Sequence, residues 1–189
     1  MAFKRVGFGQ VEPNHLSAQR TSQIYAQLPA KSDIAVLENG QFVKYDYANG
    51  ECNFTGAGEW MMVFNEVKLY DEVWKETYKN YAMQAKNFTQ GSDIEHGGLG
   101  NFKGQMVPRV IKTNVGDIYT TNCIGVGNTS GNATVTYDAT VAQGAKMTVN
   151  ENGYLVVNAA PEANEMVWQV AKVYTMADGQ PAVKLQRIQ

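Results

Sequence analysis

The apolar positions of this chain fall in short runs, rich in β-branched and aromatic residues, separated by Gly-containing turns. That pattern predicts strands joined by tight connections. Ile34 to Leu37, Gln41 to Tyr47 and Trp60 to Leu69 form one set, punctuated by Glu38-Asn39-Gly40 and Ala48-Asn49-Gly50. Asn-Gly at the centre of a turn predicts type I′ geometry, in which both central residues take positive φ. Met106 to Lys112, Asp117 to Cys123 and Ala133 to Thr140 make a second set, with Gly125 to Gly131 as a turn. Ala145 to Val149, Tyr154 to Val157, Met166 to Tyr174 and Val183 to Ile188 complete the pattern.

The tripeptide Glu-Asn-Gly occurs at 38–40 and again at 151–153, followed each time after one residue by a large apolar residue and valine, Phe42-Val43 and Leu155-Val156. Two β units of similar plan are expected from this, with shared hairpin chemistry as the competing account. Helical spacing is confined to one segment. Trp74, Tyr78, Tyr81, Ala85 and Phe88 recur at alternating intervals of four and three, which predicts a helix over Asp71 to Phe88. Its aromatics are poor helix formers, so an aromatic-rich strand competes with that reading.

Thr89 to Gly104 carries Gly91, Gly97, Gly98, Gly100 and Gly104 and reads as a loop or linker. In the first thirty residues, Phe3, Val6, Phe8 and Val11 lie without helical period among Gly7, Gly9 and Pro13, which reads as an extended arm. His15 to Leu28 reads as one short helix stopped by Pro29. The expected organisation is an arm over 1–30, a first β unit over 31–88 with the possible helix 71–88, a Gly-rich linker over 89–104, and a second β unit over 105–189. The fold class is mainly β: two small barrel- or sandwich-like units, one short helical or aromatic-rich segment and an extended N-terminal arm.

Charge removes some function classes. Sixteen Lys and Arg against 18 Asp and Glu leave a formal charge of -2, which gives no general field for a nucleic-acid backbone or an anionic membrane. The opening Met1-Ala2-Phe3-Lys4-Arg5 lacks the apolar stretch of a leader, and no run approaches a membrane span. Cys52 and Cys123, without a C-x-x-C pair or a neighbouring histidine, read as reduced, buried thiols.

The chemistry-bearing residues do not assemble into a catalytic pattern. His15 lies in the arm and His96 in the glycine loop; Asp93, Glu95 and His96 are acceptable ligand types, but such a loop does not fix metal geometry. Gly7-Phe8-Gly9 and Gly97 to Gly100 lack the spacing and flanking elements of a phosphate loop. The expectation is a protein with no catalytic, cofactor-binding or metal-binding residues and no enzymatic activity. The aromatics, among them Trp60, Trp74, Tyr78 and Tyr81, read either as core or as a sugar platform or protein-interface hot spot.

Five stretches carry a resemblance. They are His15-Leu16-Ser17-Ala18-Gln19-Arg20-Thr21, Gln27-Leu28-Pro29-Ala30, Pro108-Arg109-Val110-Ile111-Lys112-Thr113-Asn114-Val115-Gly116-Asp117-Ile118-Tyr119-Thr120-Thr121-Asn122, Trp168-Gln169-Val170-Ala171-Lys172-Val173-Tyr174 and Gly179-Gln180-Pro181-Ala182-Val183-Lys184-Leu185. The pattern resembles the auxiliary capsid proteins, the head-decoration or cement proteins, of tailed bacteriophages. The resemblance implies a non-enzymatic virion protein that binds the outer surface of an assembled capsid and stabilises it. It implies the major capsid protein as partner, self-association on the shell, and residence in the host cytoplasm during assembly, with no defining catalytic motif. A carbohydrate- or receptor-binding virion module, or a head-tail connector or tail component, is the alternative. The candidate interface residues are Phe3, Val6, Phe8 and Val11 of the arm, Trp74, Tyr78, Tyr81 and Phe88 of the aromatic segment, and Arg109.

Overall fold

The alternation of inward and outward side chains in the short apolar runs produces an antiparallel β architecture. A computed structural model describes residues 2–65, 81–85, 106–131 and 133–189. In chain order the elements begin with β1 (Phe3–Val6), β2 (Val11–His15), the short helix α1 (Ala18–Thr21) and β3 (Ile24–Tyr25). They continue with β4 (Val36–Glu38), β5 (Phe42–Asp46), β6 (Glu51–Asn53), β7 (Met61–Val63) and β8 (Ala82–Gln84). Next come β9 (Val110–Lys112), β10 (Ile118–Thr121), β11 (Thr134–Tyr137) and β12 (Lys146–Val149). The last three are β13 (Leu155–Val157), β14 (Trp168–Thr175) and β15 (Pro181–Arg187).

Two larger sheets face one another. One has six strands in the order β13-β12-β14-β15-β10-β2, the other five in the order β3-β9-β7-β5-β6, and the pairs β1-β11 and β4-β8 complete the set. Among the described residues none of these sheets closes into a barrel, and the arrangement is sandwich-like. The main core lies between the two large sheets: Phe42, Met62 and Ile111 from the five-stranded sheet meet Tyr119, Trp168 and Leu185 from the six-stranded one. Trp168 anchors it, edge-on to Tyr119 at 4.8 Å between ring centroids and 6.1 Å from Phe42. The five-stranded sheet is buried on its other face too, where Val43, Met61, Val63 and Val110 pack with Leu37 and Met83. This explains the uninterrupted apolar run Met61-Met62-Val63, since a strand covered on both faces has no solvent side to mark with polar residues.

Several expectations change here. The first thirty residues are part of the folded body: β1 pairs with β11 through Phe3↔Tyr137, and β2 pairs with β10 through Val11↔Thr121. The segment was hard to recognise because Arg5, an inward position of β1, is charged and reads as a solvent position. The helix expected over His15 to Leu28 is confined to Ala18–Thr21, because Ser22 turns left-handed at φ 56° and Ile24 and Tyr25 then pair with Ile111 and Val110. Of the helix expected over Asp71 to Phe88, residues 71–80 and 86–88 lie outside the described residues. Its described part contains strand β8, which pairs with β4 and buries Ala82 and Met83. Strand order also crosses the expected unit boundary, since the five-stranded sheet takes β3, β5 to β7 and β9 together. The linker expected over 89–104 lies outside the described residues.

The Asn-Gly turns form, though with different geometry. Gly40, Gly50 and Gly153 take φ of 90°, 66° and 79°, but Asn39, Asn49 and Asn152 do not have positive φ. Side chains acting as local acceptors account for this: Asp46 Oδ1 accepts from the amides of Ala48 and Asn49, and Asn150 Oδ1 from those of Asn152 and Tyr154. These longer, side-chain-capped loops need one left-handed residue rather than two. No helix among the described residues is long and apolar enough to cross a membrane.

Candidate functional site

The proposed interface residues separate once folded. Phe3 and Phe8 are buried at 6% and 5% exposure, Val11 is half-buried against the main core, and Tyr81 packs partly buried against the second core. Val6, the outward neighbour of Arg5, is 53% exposed. Arg109 is half-buried, and its backbone is fixed by an amide donated to Asn65 Oδ1 and a carbonyl accepting from Phe64. Trp74, Tyr78 and Phe88 lie outside the described residues, as does His96. His15 is on the surface, its Nδ1 3.2 Å from Arg20 Nη2.

Beneath Val6 is an electrostatic centre that joins distant parts of the chain. Arg5 and Glu38 are both fully buried and form a bidentate pair, Nη1 to Oε1 at 2.9 Å and Nη2 to Oε2 at 3.0 Å. The carboxylate also accepts from the amide of Gly9 at 2.8 Å, the amide of Asn128 at 3.0 Å and the Tyr154 hydroxyl at 2.7 Å. Arg5 in turn donates to the carbonyls of Gly7 and Val126. Burial, with the Glu38 carboxylate and Cys123 adding to it, holds the Tyr154 phenol well above its ordinary pKa, so the hydroxyl keeps the proton it donates. A buried charge pair is tolerated when it is hydrogen-bonded this densely: the carboxylate is saturated, and both terminal nitrogens of Arg5 are engaged, while its Nε has no partner. The arrangement is a structural junction: a carboxylate with five donors around it has no lone pair to offer a substrate.

The thiols offer little nucleophilic character. Cys52 and Cys123 are free and buried, and burial pushes Cys52 up to about 12 and Cys123 higher still. Among the described residues, no group of three or more His, Cys, Asp and Glu side chains is arranged to hold a metal ion.

Besides a cleft of about 740 Å³ bounded by Ile34, Phe54, Val126 and Tyr154, two surface features stand out. The first is the outer edge of β14. β12 pairs with β14 only at Gln169 and Trp168, so beyond that point, from Ala171 to Thr175, no described strand lies on this side, and all five residues are exposed. Tyr174 opposes Ala182, and the Met176 amide donates to the Gln180 carbonyl. By the alternation of an antiparallel ladder, the backbone groups of Val173 and Thr175 therefore point outward. Val173 and Tyr174 are exposed large apolar residues, and the nearby Val6 amide donates to Gln180 Oε1 in the turn that follows β14. Sequence periodicity gave no sign that this end of β14 is open, because the edge is set by where β12 stops.

The second feature is a groove beside β5. A cleft of about 540 Å³, bounded by Lys44, Trp60, Glu165 and Arg187, adjoins one of about 180 Å³ bounded by Tyr25, Tyr45, Tyr47 and Lys112. Gly58 and Glu59 line both. Of the aromatics singled out in the sequence, the structure brings Trp60 to this groove.

No protein-family model, curated protein or solved structure matches this chain.

Proposed function

We propose that this chain is a non-enzymatic structural protein of a bacteriophage virion that binds the outer surface of an assembled capsid and stabilises it. The open edge of β14 carries the reading. An exposed strand edge with outward amides and carbonyls, bearing the exposed side chains of Val173 and Tyr174, is suited to adding a strand from a neighbouring protein. The mainly β sandwich behind it, locked by the Arg5–Glu38 junction, gives that edge a rigid backing. The resemblance of the 108–122 and 168–174 segments to tailed-phage decoration proteins points the same way, and the second of these contains most of the open edge. Binding that requires the assembled shell stabilises the shell by mass action, since a ligand selective for one state draws the equilibrium toward it.

The test is co-sedimentation of the purified protein with mature capsids lacking it, with unassembled shell subunits as control. Saturable binding to the assembled shell alone is the expected result. A Val173→Pro variant removes one outward amide while leaving the bonds between β14 and β15, and is expected to bind more weakly with an unchanged thermal midpoint. Absence of binding to shells, or equal binding to free subunits, overturns the proposal.

A further inference from the structure

The groove beside β5 has the chemistry of a polyol site rather than of an ion site. Its two clefts carry six side chains with formal charge, three carboxylates (Glu59, Glu162 and Glu165) and three cations (Lys44, Lys112 and Arg187), so the side-chain charges balance. A balanced set gives no field to select an anion or a cation, yet offers donors and acceptors side by side, as hydroxyl groups require.

These groups are held in place before any ligand arrives. Lys112 is paired with Glu59 at 3.1 Å, Glu165 Oε2 accepts from the Glu162 amide at 2.8 Å, and Arg187 is anchored on Thr113 and on the Gln189 carbonyl. Preorganised polar groups reduce the ordering cost of binding.

The apolar component is aromatic and partly exposed. Tyr47 is 75% exposed and makes an edge-to-face pair with buried Tyr45 at 5.8 Å between ring centroids, and Tyr25 makes another with Tyr45 at 6.4 Å. One side of Trp60 packs on the main core, and Lys44 Nζ lies over its ring at 4.6 Å, so Tyr47 is the ring left to accept a ligand face. Gly58 and Glu59 line both clefts, so the two adjoin, and Gly58 packs so closely on β5 that a Cβ would lie 2.8 Å from the Tyr45 carbonyl oxygen.

We propose that this groove is a binding site for a neutral oligosaccharide, with Tyr47 as its stacking platform and Lys44, Lys112 and Glu59 as hydroxyl partners. The site is separate from the β14 edge and stands whether or not the protein decorates a capsid.

The experiment is isothermal titration of the full chain with a panel of neutral α- and β-linked hexasaccharides, with a sialylated oligosaccharide as the charged comparison. Saturable binding of at least one neutral hexasaccharide, little changed by added salt, is the expected result. Tyr47→Ala is expected to weaken it by about ten-fold or more, and Lys44→Met by a smaller factor, while each variant stays folded with a thermal midpoint lowered only by the loss of its contact to Tyr45 or Trp60. No saturable binding across the neutral panel overturns the proposal, as does binding indifferent to Tyr47→Ala or a preference for the sialylated ligand that salt abolishes.

Discussion

The Tyr154 hydroxyl donates to Glu38 Oε2 at 2.7 Å across 116 residues of sequence, and so ties together the neighbourhoods of the two Glu-Asn-Gly turns. The turns also touch directly: the Phe42 amide donates to the Gly153 carbonyl at 2.7 Å, and Gln41 Nε2 to the Asn152 carbonyl at 2.8 Å. The recurring tripeptide thus marks two halves of one buried contact. The first turn links β4 to β5, strands with different partners, while the second closes the β12–β13 hairpin.

Removing donors from Glu38 is expected to be graded in effect. Glu38→Gln leaves Arg5 buried without a full counter-charge and should cost about 3–5 kcal/mol, the range for breaking a buried pair. Tyr154→Phe removes one of five donors and leaves the ion pair, so about 1.5 kcal/mol is expected, the low end for a hydrogen bond to a charged group. Urea unfolding of each variant measures both. A Tyr154→Phe loss equal to that of Glu38→Gln would contradict the ranking.

At Gly153 the constraint is doubled. Its φ of 79° disfavours any side chain, and an added Cβ would lie 2.1 Å from the Phe42 carbonyl oxygen, a backbone atom that cannot swing away. Gly50 has a φ of 66° but nothing within 4 Å of such a Cβ. Gly50→Ala should therefore cost only the left-handed strain, roughly 1–2 kcal/mol. Gly153→Ala should cost clearly more, read as a lower denaturation midpoint or loss of soluble folded protein.

Deleting residues 2–8 distinguishes an integrated strand from a free arm. A free arm would leave the unfolding midpoint unchanged. Loss of β1 removes buried Phe3 and strips Glu38 of Arg5, so a fall of about 3–5 kcal/mol or more is expected from the unpaired carboxylate alone. Circular dichroism during urea unfolding provides the readout.

What the sequence revealed and what it hid follow from the range of the interactions involved. The mainly β class and the hairpin turns at Gly50 and Gly153 were legible because alternation and Gly placement are local signals. The short strands β3 and β8 were not, because two or three residues carry no period and their pairing with β9 and β4 is decided by distant burial. The Arg5–Glu38 junction was hidden because charge normally marks a surface, and only the surrounding donors Gly9, Asn128 and Tyr154 make an interior site tolerable. The groove at Tyr47 and Trp60 was half visible as an aromatic concentration. Its polar members Glu165 and Arg187 come from elements more than a hundred residues later.

The buried thiols and phenols make the fold sensitive to alkali. Burial raises Cys52 from 9.0 to about 12, raises Cys123 further, and raises Tyr119 and Tyr154 above 10.0. A folded pKa above the unfolded one means that, between the two, the unfolded chain has released a proton the folded chain retains. Stability is then complete below the unfolded value and is lost as pH rises toward the folded value. Each such group contributes a slope of about 1.4 kcal/mol per pH unit in its window. Unfolding free energy is expected to be level from neutral pH to about pH 8.5, to fall above about pH 9 as the thiols enter, and to fall more steeply above about pH 10 as the phenols join. Denaturant titrations across that range measure the curve, and Cys52→Ala should make its first segment shallower. Iodoacetamide near pH 8 should label neither cysteine until the chain is unfolded; rapid labelling of the native protein would mean that the thiols are not held as the structure places them.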